Sequence, residues 1–190
     1  MSQGTCDIYM AVLCTEHRSY HASTYSDISD KAGCQKLTKD FSAKESALHL
    51  LVNNAGIALE EDLKFSNNES LDFSSAESIS EHLLRAETDI WLDTYKTNTQ
   101  AVYMLSACML PLLAKGNDTF RGYTSSIVNI TSISGIMKTP SSGQFAYAAS
   151  KAAAIQLTRN LANTLVKTKV RVNSIAVSAC FEDGFLQIRS

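Results

Sequence analysis

Short apolar runs alternate along this chain with longer stretches whose apolar residues recur at helical spacing. Residues 7–14 (DIYMAVLC) form the first run, rich in strand formers, and predict a strand. After a polar stretch over 15–26, Cys34, Leu37 and Phe41 fall about one turn apart. They predict a helix over 30–43 with Ser29 as its N-cap. Residues 48–52 make a compact apolar strand that ends abruptly in Asn53-Asn54-Ala55-Gly56. The polar, acidic stretch 58–90 leaves room for one short helix around 76–86. A long helix is expected over 91–114, with Val102, Leu105, Met109, Leu112 and Leu113 as its apolar stripe and Gly116 as its stop. Residues 126–131 (SIVNIT) read as a second buried strand, and a Ser/Gly/Pro-rich loop follows from Ser132 to Gln144. A second long helix is expected over 145–167, its stripe Ala154, Leu157, Leu161 and Leu165, and residues 169–177 (KVRVNSIAV) form the next strand.

Buried strands separated by helix-length segments need crossover connections, so they pair in parallel. The predicted fold is therefore α/β, a doubly wound parallel sheet with helices on both faces. At 190 residues it fits a single domain, 1–190. The net charge of -2, without clustered Lys and Arg, argues against a nucleic-acid surface. No apolar run is long enough to predict a membrane span. The five cysteines (Cys6, Cys14, Cys34, Cys108, Cys180) are scattered and form no CxxC pair, as expected of reduced thiols in a cytoplasmic protein. His17 and His21 lie four apart, but no third ligand follows at metal spacing, so no metal site is predicted. The triplets starting at Asn68, Asn117 and Asn129 match glycosylation acceptors and carry no meaning in such a protein.

The candidate chemistry lies on the second long helix. Tyr147 and Lys151 are spaced i, i+4 and project from nearly the same side. An unperturbed tyrosine titrates near ~10, and an ammonium one turn away favours phenolate. Ser132 and Ser134 follow the strand SIVNIT, at the carboxyl edge where parallel sheets bind ligands. Asn53 to Gly56 end the preceding strand at the same edge, and Asn98 lies early in the helix between them.

With LLVNNAG at 50–56, Asn98 in YKTNTQAVYM, IVNITSISG at 127–135, YAASK at 147–151 and VRVNSIA at 170–176, the chain resembles the short-chain dehydrogenase/reductases over about residues 24–177. The resemblance implies a Rossmann-like fold, carbonyl reduction or alcohol oxidation of a small molecule, and NADP or NAD as cofactor. It implies Tyr147 as the acid/base, Lys151 as the group that holds the nicotinamide ribose and acts on Tyr147, Ser132 as orienter of the substrate carbonyl, and Asn98 as the anchor of a relay water. Asn53, Asn54, Ala55 and Gly56 would border the adenosine and ribose pocket, and Asp27 and Ile28 match the pair that contacts adenine. Family spacing to the tyrosine would choose Ser134 instead of Ser132. Strand register favours Ser132, because loop length varies freely. Family members commonly dimerise through the helices expected here at 91–114 and 145–167.

Two parts of the family pattern are missing. Nothing before Asp27 matches the Thr-Gly-xxx-Gly-x-Gly turn, and the only early glycine is Gly4. Losing three hydrogen bonds to a charged pyrophosphate, each worth about 1.5–3 kcal/mol, weakens cofactor binding roughly a thousandfold or more. Residues 7–14 are expected to fill the vacated central strand position. At the other end Val177-Ser178 stands where the family has Pro-Gly, and ACFEDGFLQIRS (residues 179–190) matches nothing in it. Residues 1–23 and 178–190 are unmatched, and the chain reads as a member truncated at both ends. The alternative to an active enzyme is an inactive relative that serves as a partner or subunit.

Overall fold

The computed structural model describes residues 12–13, 19–20, 27–119, 122–139 and 141–178. The His17/His21 pair, Gly4, Cys6, Cys14, Cys180 and the tail 179–190 lie outside the described residues. Among the described residues five strands form one sheet: β1 (Val12–Leu13), β2 (Ser19–Tyr20), β3 (Leu50–Asn53), β4 (Ser126–Ser132) and β5 (Arg171–Val177), in the order β2-β1-β3-β4-β5. β3, β4 and β5 are parallel, with Leu51, Ile127 and Val172 aligned across the sheet. Helices α1 (Lys31–Ser42), α2 (Ala76–Leu83), α3 (Thr88–Tyr95), α4 (Ala101–Gly116) and α5 (Phe145–Thr164) complete a Rossmann-like α/β fold.

One face of the sheet carries the core. Leu51, Ile127 and Val172 pack with Cys34, Leu37 and Phe41 of α1 and Leu105, Met109 and Leu113 of α4. On the same face Asn53 donates to Ser106 of α4, and Asn129 donates to Thr158 of α5. The alternate positions Leu50, Val52, Val128 and Ile130 are half-buried, and Ile175 and Val177 are exposed. Of the helices expected on both faces, those joined to the strands by these contacts, α1, α4 and α5, therefore share one face.

Local chemistry shifts several expected boundaries. Asp30, not Ser29, caps α1, its carboxylate accepting from Gly33 N–H at 2.7 Å. Ser29 instead gives its N–H to Asp27 at 2.8 Å, and this small Asx turn moves the helix start by one residue. The helix expected over 91–114 is two helices joined by a π-helical turn at Lys96–Gln100. β5 starts at Arg171 because Lys169 takes a left-handed conformation (φ 60°) that closes the turn Val166–Thr168. Of the strand expected over 7–14, the described pair Val12–Leu13 does lie beside β3, but antiparallel to it. The carboxyl end of β1 therefore lies at the sheet edge opposite Asn53 and Ser132.

Candidate active site

The site forms where β3 and β4 end and α5 begins. Tyr147 and Lys151 are the third and seventh residues of α5, and Lys151 Nζ lies 5.8 Å from the Tyr147 ring centroid. That is within cation–π range. Lys151 is only 5% exposed, and its ammonium donates to Ile130 O at 3.1 Å, which ties it to β4. Burial pulls its pKa below the ordinary lysine value, because desolvation penalises the charged form.

Ser132 ends β4, and its Oγ accepts the Ser134 N–H at 3.1 Å, opening the tight turn Ile133–Gly135. Its hydroxyl proton remains able to point elsewhere. Ser134 Oγ instead shares a 2.9 Å hydrogen bond with Ser141 Oγ. Gly135 holds the Ser132 loop against α5: a Cβ there would come within 2.6 Å of Ala152 N and 2.7 Å of the Lys151 carbonyl carbon. Only glycine allows that approach.

Asn98 lies in the π-helical turn and is 1% exposed. Its Oδ1 accepts Ile57 N–H at 2.8 Å, and its Nδ2 donates to Ile57 O and Ser150 Oγ, both at 2.9 Å. The widened turn aims this amide inward, a common use of π-bulges at functional sites. Ser150 Oγ in turn donates to Tyr147 O at 2.7 Å. Gly56 sits between these groups, where a Cβ would meet Lys151 Nζ at 3.0 Å and Asn98 Oδ1 at 3.4 Å.

The residues expected at the cofactor divide into two sets. Ile28, Asn53, Asn54 and Ala55 line one small cavity of about 10 Å³ together with Thr97, Ala101, Val102 and Leu105. Gly56 lies instead against Lys151 and Asn98. Asp27 is exposed, and the Ser29 backbone N–H holds its carboxyl below the usual carboxylate range. Asn53 also ties elements of the fold together. Its Nδ2 donates to Asn129 Oδ1 at 2.8 Å and to Ser106 Oγ at 3.1 Å, while Asn129 Nδ2 donates to Thr158 Oγ1 at 2.9 Å. The Asn53 Oδ1 is buried without a partner. Asn129 is 1% exposed, so that glycosylation-like triplet is internal. Among the described residues, no group of three or more His, Cys, Asp or Glu could hold a metal ion, and no helix is long and apolar enough to cross a membrane.

Two residues of the site were not singled out by the sequence: Glu60, which belongs to no motif, and Ser150, which sits inside YAASK without an expected role. Glu60 is 1% exposed, and its carboxylate accepts from Ala146 N–H and Tyr147 N–H, each at 2.8 Å. It sits in an acidic triplet, Glu60-Glu61-Asp62, that reads as solvated surface. One signal is present: Gln144 is a poor N-cap and makes no side-chain cap bond, so the first amides of α5 need an acceptor from elsewhere.

A family model described as short chain dehydrogenase matches residues 10–182. The chain belongs to the short-chain dehydrogenase family. Among curated relatives, "Short-chain dehydrogenase/reductase PhomF'" of Diaporthe leptostromiformis is 29% identical over 150 residues, 79% of this chain and 50% of the relative. The 3-oxoacyl-[acyl-carrier-protein] reductase FabG of Chlamydia pneumoniae is 27% identical over 161 residues, 85% of this chain and 51% of the relative. The chain thus spans about half the length of the curated relatives it matches. The solved Pseudomonas aeruginosa RhlG/NADP active-site complex superposes with a TM-score of 0.63 at 28% identity, covering 80% of this chain and 50% of that one. A Brucella ovis short-chain dehydrogenase/reductase family oxidoreductase, in complex with a partially ordered NAD, superposes with a TM-score of 0.58 at 31% identity, covering 80% and 60%.

Proposed function

We propose that this chain carries the catalytic half of an oxidoreductase that interconverts small carbonyl compounds and alcohols with NADP or NAD. The observation that carries this reading is the buried Lys151 ammonium, 5.8 Å from the Tyr147 ring and tied to the strand that ends in Ser132. Tyr147 gives its phenolic proton to the carbonyl oxygen during reduction and takes it back during oxidation. Ser132 donates its hydroxyl proton to the same oxygen, since its Oγ already accepts from Ser134. Lys151 keeps positive charge beside Tyr147 and holds the nicotinamide ribose. Asn98 fixes the relay water through its backbone, because its side chain is committed to Ile57 and Ser150. When bound, the nicotinamide supplies or accepts the hydride.

The residues present fit one part of that cofactor, since the Lys151 ammonium has donors to spare for a ribose. The cavity lined by Ile28, Asn54, Ala55 and Val102 is about 10 Å³, room for no more than a water, and Asp27 lies exposed next to Ile28 in the sequence. The pyrophosphate has no glycine turn in this sequence. Exposed Tyr103 on α4 and Phe145 on α5, with Trp91 and Leu92 on α3, favour pairing of two copies through these helices. The scattered cysteines suit the cytoplasm.

A second reading, an inactive relative acting as a subunit, is favoured by the antiparallel β1. A strand in that direction cannot deliver a glycine turn to the edge that holds Ser132. A thermal melt of the chain with and without millimolar NADH or NADPH separates the two. A ligand that binds only the folded state raises the midpoint, and one at a hundred times its Kd adds about 2.7 kcal/mol. A rise with one cofactor, followed by turnover of an aldehyde, supports the enzyme. A cooperative melt that neither cofactor moves overturns it in favour of the subunit.

A further inference from the structure

We infer that Glu60 is a positioning residue that clamps the first turn of α5 and so fixes Tyr147. The helix starts without a cap of its own, because Gln144 makes no side-chain cap bond. Its amides at Ala146 and Tyr147 have no acceptor within their own helix. Glu60 reaches them across 86 and 87 residues of sequence, one oxygen on each amide at 2.8 Å, from a carboxylate that is 1% exposed. A carboxylate at a helix N-terminus adds charge-assisted bonds and a favourable interaction with the helix dipole.

The clamp closes a ring. Tyr147 N–H is held by Glu60, and Tyr147 O by Ser150 Oγ. Ser150 Oγ accepts from Asn98, and Asn98 grips both the N–H and the C=O of Ile57, three residues before Glu60. Both backbone polar groups of Tyr147 are thereby tied to the segment that follows β3. The segment is itself anchored farther on. His82 is buried, accepts from Asn68 Nδ2 at Nδ1 (2.9 Å) and donates from Nε2 to Leu63 O (3.0 Å). Glu60 also floors a largely apolar, open cavity of about 290 Å³ walled by Leu63, Leu84, Trp91 and Phe145. The consequence for turnover rests on the carbonyl-chemistry reading above, whereas the consequence for the amides does not.

The test compares the full chain with Glu60→Gln and Glu60→Ala by amide-resolved hydrogen exchange, and by turnover of 4-nitrobenzaldehyde with NADPH or NADH. In Glu60→Ala, exchange at Ala146 and Tyr147 is expected to rise about tenfold or more while amides beyond Ser150 hold their protection. The kcat should fall about tenfold or more with KM within about threefold, the split expected when positioning is lost and binding kept. Glu60→Gln keeps the shape and one acceptor, so it should fall between, and it serves as the folded variant if the alanine form does not fold. Unchanged exchange at the two amides overturns the clamp. A uniform rise along α5 overturns it too, since Glu60 is then only a general stabiliser. A local rise with unchanged kcat overturns the positioning of Tyr147. If the wild-type chain turns over nothing, the carbonyl reading fails by itself, and exchange alone decides for or against the clamp.

Discussion

Gly56 and Lys151 come from opposite sides of the site and meet so closely that a Cβ on Gly56 would lie 3.0 Å from the Lys151 ammonium nitrogen. The backbone at Gly56 is not left-handed, so an alanine meets no strain there. It meets only the end of a flexible side chain and, at 3.4 Å, Asn98 Oδ1. Gly56→Ala is therefore expected to leave stability within about 1 kcal/mol of wild type, since removing glycine also restricts the unfolded chain. Displacing the ammonium by a few tenths of an ångström should nonetheless lower kcat by roughly tenfold. A melt and a turnover assay on the same sample check the separation; a fall in both together contradicts it.

Asn98→Ala removes one acceptor and two donated hydrogen bonds in a place that is 1% exposed. It leaves the N–H and the C=O of Ile57 without their partner. The expected loss is about 2–4 kcal/mol by denaturant melt, more than an ordinary surface change. Asn98→Asp should cost a similar amount, because a carboxylate oxygen would then face the carbonyl oxygen of Ile57. A change under about 0.5 kcal/mol, the range of surface substitutions, contradicts the arrangement.

The two candidate serines should part clearly. Ser132→Ala removes the hydroxyl proton offered to the carbonyl, and kcat/KM is expected to fall about a hundredfold or more. Ser134→Ala breaks only the contact with Ser141 and should stay within about threefold. Steady-state kinetics on both variants decide, and the reverse order would give the role to Ser134.

Lys151 sets a pH dependence whose sign follows from its burial. Its folded pKa is depressed, so between that value and the ordinary lysine pKa the unfolded chain binds more protons than the folded one. Stability from this residue therefore rises with pH through that window and is flat below it. Lys151→Met removes the buried charge together with its bond to Ile130. The difference in Tm between Lys151→Met and wild type should move in favour of wild type as pH climbs from neutral toward the lysine value. A difference that stays constant in melts across that range contradicts the burial argument.

Much of the helix and strand layout was legible because periodicity is local. The buried stripe of α4 and the apolar strands β3 and β4 are where the pattern put them. Tyr147 and Lys151 were legible for the same reason, since spacing on one helix fixes their side. The π-helical turn was not, because it depends on Asn98 finding Ile57 and Ser150, which lie 41 and 52 residues away. Glu60 was hidden by its neighbours: nothing local tells a carboxylate that caps a distant helix from one that faces water. The direction of β1 was equally closed to inspection, since an apolar run shows only that it wants to be buried.

The sheet that puts helices α1, α4 and α5 on one side leaves Ile175 54% and Val177 45% exposed on the other, beside half-buried Val128 and Ile130. Such a surface behaves in a cell as an adhesive. Made alone at high level, this chain is expected to collect in the insoluble fraction more readily than a variant with Ile175 and Val177 replaced by threonine.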